Sequence, residues 1–162
     1  MKILFLTLLF TLLMTGKVYA EQPVAGISVT LDRVKDLDHI YTTDETTVLY
    51  KIVEAEVTGG TIESKKNVAS VILNRVTDDN FPNTISEVVF QKNQFSPVSD
   101  KRYWEVEVTD GTIQAVDEVL LDGVTTEALY FVNLDKTSKK MRKWFKSLEY
   151  LFSDEANHSF YK

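Results

Sequence analysis

The sequence predicts an α+β domain, mainly helical in its N-terminal part, with a small antiparallel sheet toward the C-terminus. Two observations predict it. Amphipathic stretches bounded by helix-start and helix-stop residues occupy positions 42–122, and short β-branched and aromatic runs replace them from residue 128 onward. No internal repeat, low-complexity tract or linker interrupts this stretch, so one domain spans 42–162.

The first helix opens at Thr42, with Glu45 three residues on as a capping box, and Asp44 and Glu45 suit the positive end of the helix dipole. Leu49, Ile52 and Val53 follow helical spacing and share a face, on which Glu56 is the next position; Gly59-Gly60 stops the helix. Glu54 falls on another side with Tyr50 and Lys51 and is expected in solvent. Partial burial and the negative end of the dipole both disfavour the Glu56 anion, raising its pKa above roughly 4.3 toward a general acid's range. The competing expectation is a plain ion pair between Glu56 and Arg75.

A second helix runs from about Ser64 to Val76, opened by Ser64 or Glu63, with Ala69, Ile72, Leu73 and Val76 inward. Pro82 makes 80–83 a turn, and Thr84 with Glu87 caps a short helix through Phe90. Residues 91–100 read as a polar loop whose amides and hydroxyls suit either sugar hydroxyls or water. Tyr103-Trp104 offers a flat apolar surface, for stacking or for packing. A third long helix covers about Asp110 to Leu121, with Ile113, Val116, Val119 and Leu120 inward and Asp122-Gly123 as its stop. Strands are expected at 128–132, once or twice within 144–152, and at 158–161.

Residues 1–20 have the form of a signal peptide: Lys2, an apolar run from Ile3 to Met14, and Val18-Tyr19-Ala20 at the cleavage site. The run is too short for a span of about 20 residues, so no stable membrane insertion is expected after cleavage. The protein is therefore expected outside the cytoplasm, in the periplasm, the cell wall or the medium. Residues 21–41 form an N-terminal extension with a possible short strand at 27–31. Removing 20 of the 162 residues leaves 142, enough for a core, and takes two lysines and no acid from a net charge of −6, leaving −8. Such a surface argues against nucleic acid and anionic membranes as partners. With no cysteine and only two histidines, no metal site and no cofactor is expected.

Six segments, in order and at matching spacing, resemble the cell-wall hydrolases typified by the spore cortex-lytic enzyme catalytic domain. They are Ile52-Val53-Glu54-Ala55-Glu56 with Gly59, Val71-Ile72-Leu73-Asn74-Arg75-Val76, and Phe81-Pro82-Asn83-Thr84-Ile85 with Val88-Val89. Gln94-Phe95-Ser96-Pro97-Val98, Ala128-Leu129-Tyr130-Phe131-Val132-Asn133 and His158 with Phe160-Tyr161 complete the set. The resemblance implies a lysozyme-like fold and a cell-wall hydrolase catalytic domain over 42–162, acting as a monomer. It implies cleavage of the MurNAc–GlcNAc strand of peptidoglycan as a lytic transglycosylase, with Glu56 catalytic and Gln94, Ser96, Tyr130, Asn133 and His158 binding substrate. Ordinary glycosidases need two carboxylates; such an enzyme needs one, because the sugar's own C6 hydroxyl attacks. Relatives often carry a second acid four positions after the catalytic one, where this chain has Gly60. That departure keeps an alternative open: a non-catalytic peptidoglycan-binding or inhibitor protein on the same scaffold. An amidase or peptidase ranks last, since neither a metal set nor an activated nucleophile is present.

Overall fold

The computed structural model describes residues 41–162; the expected signal peptide, the extension before Tyr41 and the strand expected at 27–31 lie outside the described residues. Helix α1 is Thr43–Glu56, and Thr42 Oγ1 accepts from the Glu45 amide at 3.2 Å, as its sequence demands. Glu45 does not close the capping box. Its carboxylate instead accepts from the amide (3.0 Å) and hydroxyl of Ser86, tying the start of α1 to that of α3, Ile85–Phe90.

Helix α2, Ile62–Thr77, begins before the expected Ser64: Thr61 is its cap, accepting from the Ser64 amide at 3.2 Å. Leu49, Ile52 and Val53 of α1 meet Val68, Val71 and Ile72 of α2 and Ile85, Val88 and Val89 of α3 in a core closed to solvent. Fully burying each such side chain stabilises the fold by about 1.5–3 kcal/mol.

The segment expected to be a loop, 91–100, contains a single turn of helix, α4 (Ser96–Ser99), started by Pro97; α5 is Arg102–Glu105. Helix α6, Asp110–Asp122, packs against α2 through Thr112, Ala115, Val116 and Val119, leaving Ile113 40% exposed. The inward stripe is therefore rotated from the expected one. Thr112 faces inward because its hydroxyl binds a buried carboxylate, described below.

Strands β1 (Tyr130–Val132), β2 (Tyr150–Ser153) and β3 (Ser159–Tyr161) form an antiparallel sheet in the order β1-β3-β2. Phe131 and Phe152 both face Phe160, whose two neighbours stack on it at 5.9 and 4.7 Å. The strand expected from Trp144 starts at Tyr150. Residues Lys139–Phe145 are helix α7, capped by Ser138, whose hydroxyl accepts from the Met141 amide at 3.3 Å. A cap followed by strong helix formers decides the matter over the aromatic pair Trp144-Phe145. The architecture is the expected one: mostly helical, with a three-stranded sheet toward the C-terminus.

Candidate active site

Glu56 is the last residue of α1, and the chain turns away immediately after it. Gly59 takes φ +72°, and a Cβ on Gly60 would lie 2.4 Å from Val57 Cγ1 and 3.3 Å from its carbonyl oxygen. An acid at position 60 would thus force Val57 to shift, a steric reason for the glycine there. The end of the helix is held from outside: Arg102 Nη1 donates to the Ala55 carbonyl at 2.7 Å, satisfying one of the carbonyls that α1 itself leaves unpaired.

This turn borders a cleft of about 870 Å³. Its other walls are Arg75 of α2, the Asn93–Ser96 turn, Ser99 and Arg102, Phe131 to Asn133, Lys136 and Thr137, Met141 and Phe145 of α7, and the corner holding Glu155, Ala156 and His158. A second depression, of about 790 Å³, lies among Thr61, Asn67, Thr125 and Ser153 and does not reach Glu56.

The Glu56 carboxyl is pushed up to about 7, chiefly by burial and further by Asp100, while Arg102 and Arg75 oppose the rise through space. No group among the described residues hydrogen-bonds its carboxylate. The expected alternative, an ion pair with Arg75, is not formed. Arg75 donates through Nε to the Leu129 carbonyl at 2.7 Å and through Nη1 to Gln94 Oε1 at 3.3 Å. Its guanidinium lies 5.1 to 5.6 Å from the ring centres of Phe81, Phe95 and Tyr130.

Glu54 is not in solvent. It is 2% exposed and accepts from Lys65 Nζ (3.0 Å), the Thr109 amide (3.2 Å) and hydroxyl (2.6 Å), and the Thr112 hydroxyl. Burial pushes its carboxyl up, but the bonds from Thr109, Thr112 and Lys65 outweigh this and hold it at about 2. Two glutamates two positions apart therefore stand at opposite ends of the carboxylate range. Glu54 is a permanent anion bracing α1 against α2 and α6; Glu56 exchanges its proton near neutrality.

Of the other expected site residues, Gln94, Ser96, Asn133 and His158 line the cleft. Arg75 holds Gln94, and Arg102 Nη2 donates to Ser96 Oγ at 3.1 Å. Asn133 Oδ1 accepts from the amides of Asp135 and Lys136, capping the short turn Leu134–Lys136. His158 is buried, its ring edge-on to Phe131 at 5.2 Å and its Nδ1 3.7 Å from Asp154 Oδ2; burial lowers its proton affinity and Asp154 opposes that. Tyr130 does not line the cleft. Tyr130 and Phe131, neighbours in β1, point to opposite faces, so Phe131 reaches the cleft while Tyr130 packs against Phe81 and Trp144. Arg102, Phe131, Lys136 and Met141 went unmarked in the sequence. Arg102 reaches Ala55 across 47 positions, which no local pattern signals.

A carboxylic acid that titrates near neutrality, set in a cleft walled by amides, hydroxyls and aromatic rings, is the equipment of general acid–base chemistry on a polar ligand. The model of the cell wall hydrolase family matches residues 59–161, beginning three positions after Glu56, and the chain belongs to that family. Over 100 residues it is 31% identical to the spore cortex-lytic enzyme of Bacillus cereus and 33% identical to that of Oceanobacillus iheyensis. Those alignments cover 62% and 59% of this chain but only 39% and 34% of the relatives, so the chain spans under two-fifths of their length. The catalytic domain of the germination-specific lytic transglycosylase SleB from Bacillus anthracis superposes with a TM-score of 0.65 at 30% identity, covering 75% of this chain and 97% of that one. For the catalytic domain of the Bacillus cereus SleB protein the TM-score is 0.66 at 29% identity, covering 75% and 92%. The lysozyme-like α+β fold is thus shared with SleB catalytic domains.

Proposed function

We propose that this protein is an exported peptidoglycan lytic transglycosylase that cleaves the MurNAc–GlcNAc strand as a monomer, with Glu56 as its single acid–base group. The observation that carries the reading is the Glu56 carboxyl itself, which lines the cleft, has no hydrogen-bond partner among the described residues and titrates at about 7. At neutral pH a large fraction is protonated and able to protonate the bridging oxygen as the glycosidic bond breaks. The C6 hydroxyl of the same MurNAc then attacks its C1, and Glu56 takes back that hydroxyl's proton. The products are a 1,6-anhydro end and a free GlcNAc hydroxyl; no water is consumed.

The remaining geometry supports this assignment. Glu155, the other carboxylate lining the cleft, is exposed on the β2–β3 turn, unlike the enclosed nucleophile or base of a two-carboxylate glycosidase. Arg102 and Arg75 stand ready to stabilise the Glu56 anion once its proton has gone. Gln94, Ser96, Asn133 and His158 line the cleft, which supports reading them as sugar-binding groups, with Tyr130 acting from behind through its contact with Arg75. A side chain at position 60 would press on Val57, which offers a local steric reason for Gly60 that does not depend on a non-catalytic scaffold. Mass spectrometry of digested sacculi tests the mechanism: products about 18 Da, one water, lighter than hydrolysed ones are expected. Hydrated products would assign lysozyme chemistry instead, and no soluble product would leave a binding protein.

A further inference from the structure

Both arginines that act on Glu56 are bonded to something else. The charged groups influencing its carboxyl are Arg102, Asp100 and Arg75, while Lys136, Glu155 and His158 stand on other walls of the cleft. Arg75 is engaged by neutral acceptors, the Leu129 carbonyl and Gln94 Oε1. Arg102 is engaged by a carboxylate. Its Nε donates to Asp100 Oδ1 and Oδ2 at 3.1 and 3.0 Å, and its Nη2 donates to Asp100 Oδ2 at 2.9 Å and to Ser96 Oγ at 3.1 Å. The remaining nitrogen, Nη1, donates to the Ala55 carbonyl at 2.7 Å, one residue before Glu56.

An exposed ion pair is ordinarily worth little to stability, and the Arg102 and Asp100 side chains are 49% and 46% exposed. Its position gives this pair a different consequence. Lys101, between the partners, takes φ +76°, a left-handed conformation unfavourable for lysine. The Asp100 carboxylate also accepts from the Arg102 amide at 3.2 Å, so the turn aims it at the Nε edge of the guanidinium. Asp100 itself does not line the cleft; Arg102 does. Without the Asp100 charge, the guanidinium would stay anchored at the Ala55 carbonyl, and the carboxylate next along the chain from that anchor is Glu56. A direct pair there would favour the Glu56 anion and remove the proton that a general acid must give.

We propose that Asp100 is a positioning residue whose carboxylate holds the Arg102 guanidinium in a fork and so keeps it from pairing with Glu56. Asp100 touches no reacting atom and acts only through Arg102. The proposal rests on the reading of Glu56 as the acid–base group, and its test separates the two.

The test is Asp100→Asn, made in the wild type and in Arg102→Gln. Asparagine keeps Oδ1 as an acceptor for the Arg102 amide, and the position is exposed, so the variant is expected to fold. One readout is carbon-13 NMR titration of the Glu56 carboxyl, identified by its absence in Glu56→Gln. The other is the pH–rate profile on purified sacculi. In the wild-type background the Glu56 midpoint and the alkaline limb should both fall by about one pH unit. The rate at pH 8 then drops about tenfold, while the rate at pH 5 changes by less than about twofold. In Arg102→Gln the same substitution should move the midpoint by less than about a third as much, because the bare Asp100 charge is exposed and screened. A midpoint left unmoved or raised by Asp100→Asn overturns the proposal. An equal fall in both backgrounds also overturns it, since Asp100 would then act as a remote charge. If the midpoint falls as expected in a protein that releases no product from sacculi, the positioning role stands and the transglycosylase reading fails.

Discussion

Replacing Glu56 by Gln keeps the shape of the side chain and removes its exchangeable proton, so activity and stability should move in opposite directions. A general acid contributes about 10²–10⁴-fold to rate, which at 1.36 kcal/mol per decade is about 2.7–5.4 kcal/mol of transition-state stabilisation lost. The stability effect follows from the carboxyl's displacement from 4.5 to about 7 by burial. The folded state resists ionisation that the unfolded chain accepts, so the wild type loses stability as pH rises from about 4.5 to about 7 and is level above. The gap between the two values is worth about 3 kcal/mol. Most of it develops between pH 5 and pH 8, leaving an expected gain of about 2 kcal/mol for the variant over that interval. For a domain of this size that corresponds to roughly 5–10 °C in Tm. Thermal melts of both proteins at pH 5 and pH 8, beside turbidity assays on purified sacculi, give the two readouts. Wild-type activity in Glu56→Gln would remove the mechanism. A Tm difference that stays the same at both pH values would show that burial does not hold the proton on Glu56.

Glu54→Gln should behave differently: it strands Lys65 without its anion and should cost about 3 kcal/mol or more in chemical denaturation. Because Glu54 is held at about 2, its contribution is present above the ordinary carboxylate range and lost as pH falls toward 2, so acid melts of the variant should be flatter than the wild type's. Arg102→Ala removes a cation that favours the Glu56 anion, so the alkaline limb of the pH–rate profile should move to higher pH; an unmoved or lowered limb would contradict the charge placement. On the proposed export, mature protein should begin at Glu21, which intact-mass measurement checks; a mass that includes residues 1–20 would contradict the expected cleavage.

The sequence by itself determined where α1, α3 and α6 begin and that Glu56 lies at the end of the first helix's inward stripe, whereas α2 started earlier than expected and α4, α5 and α7 were not expected as helices. Thr42, Thr84 and the glycines after Glu56 act on backbone groups within a turn, so their effects are written in spacing of three or four residues. The stripe of Leu49, Ile52 and Val53 likewise marked the core face of α1. Local pattern failed wherever a partner arrived from far along the chain. Glu54 looked solvated because nothing nearby in sequence shows that Lys65, Thr109 and Thr112 converge on it. The same convergence turned Thr112 inward and Ile113 outward. Tyr130 and Phe131 are equally aromatic, and only the pairing of β1 with β3 decides which of them faces the cleft. Tertiary structure also decided the state of Glu56, since burial is a property of everything packed around a group rather than of its neighbours in the chain.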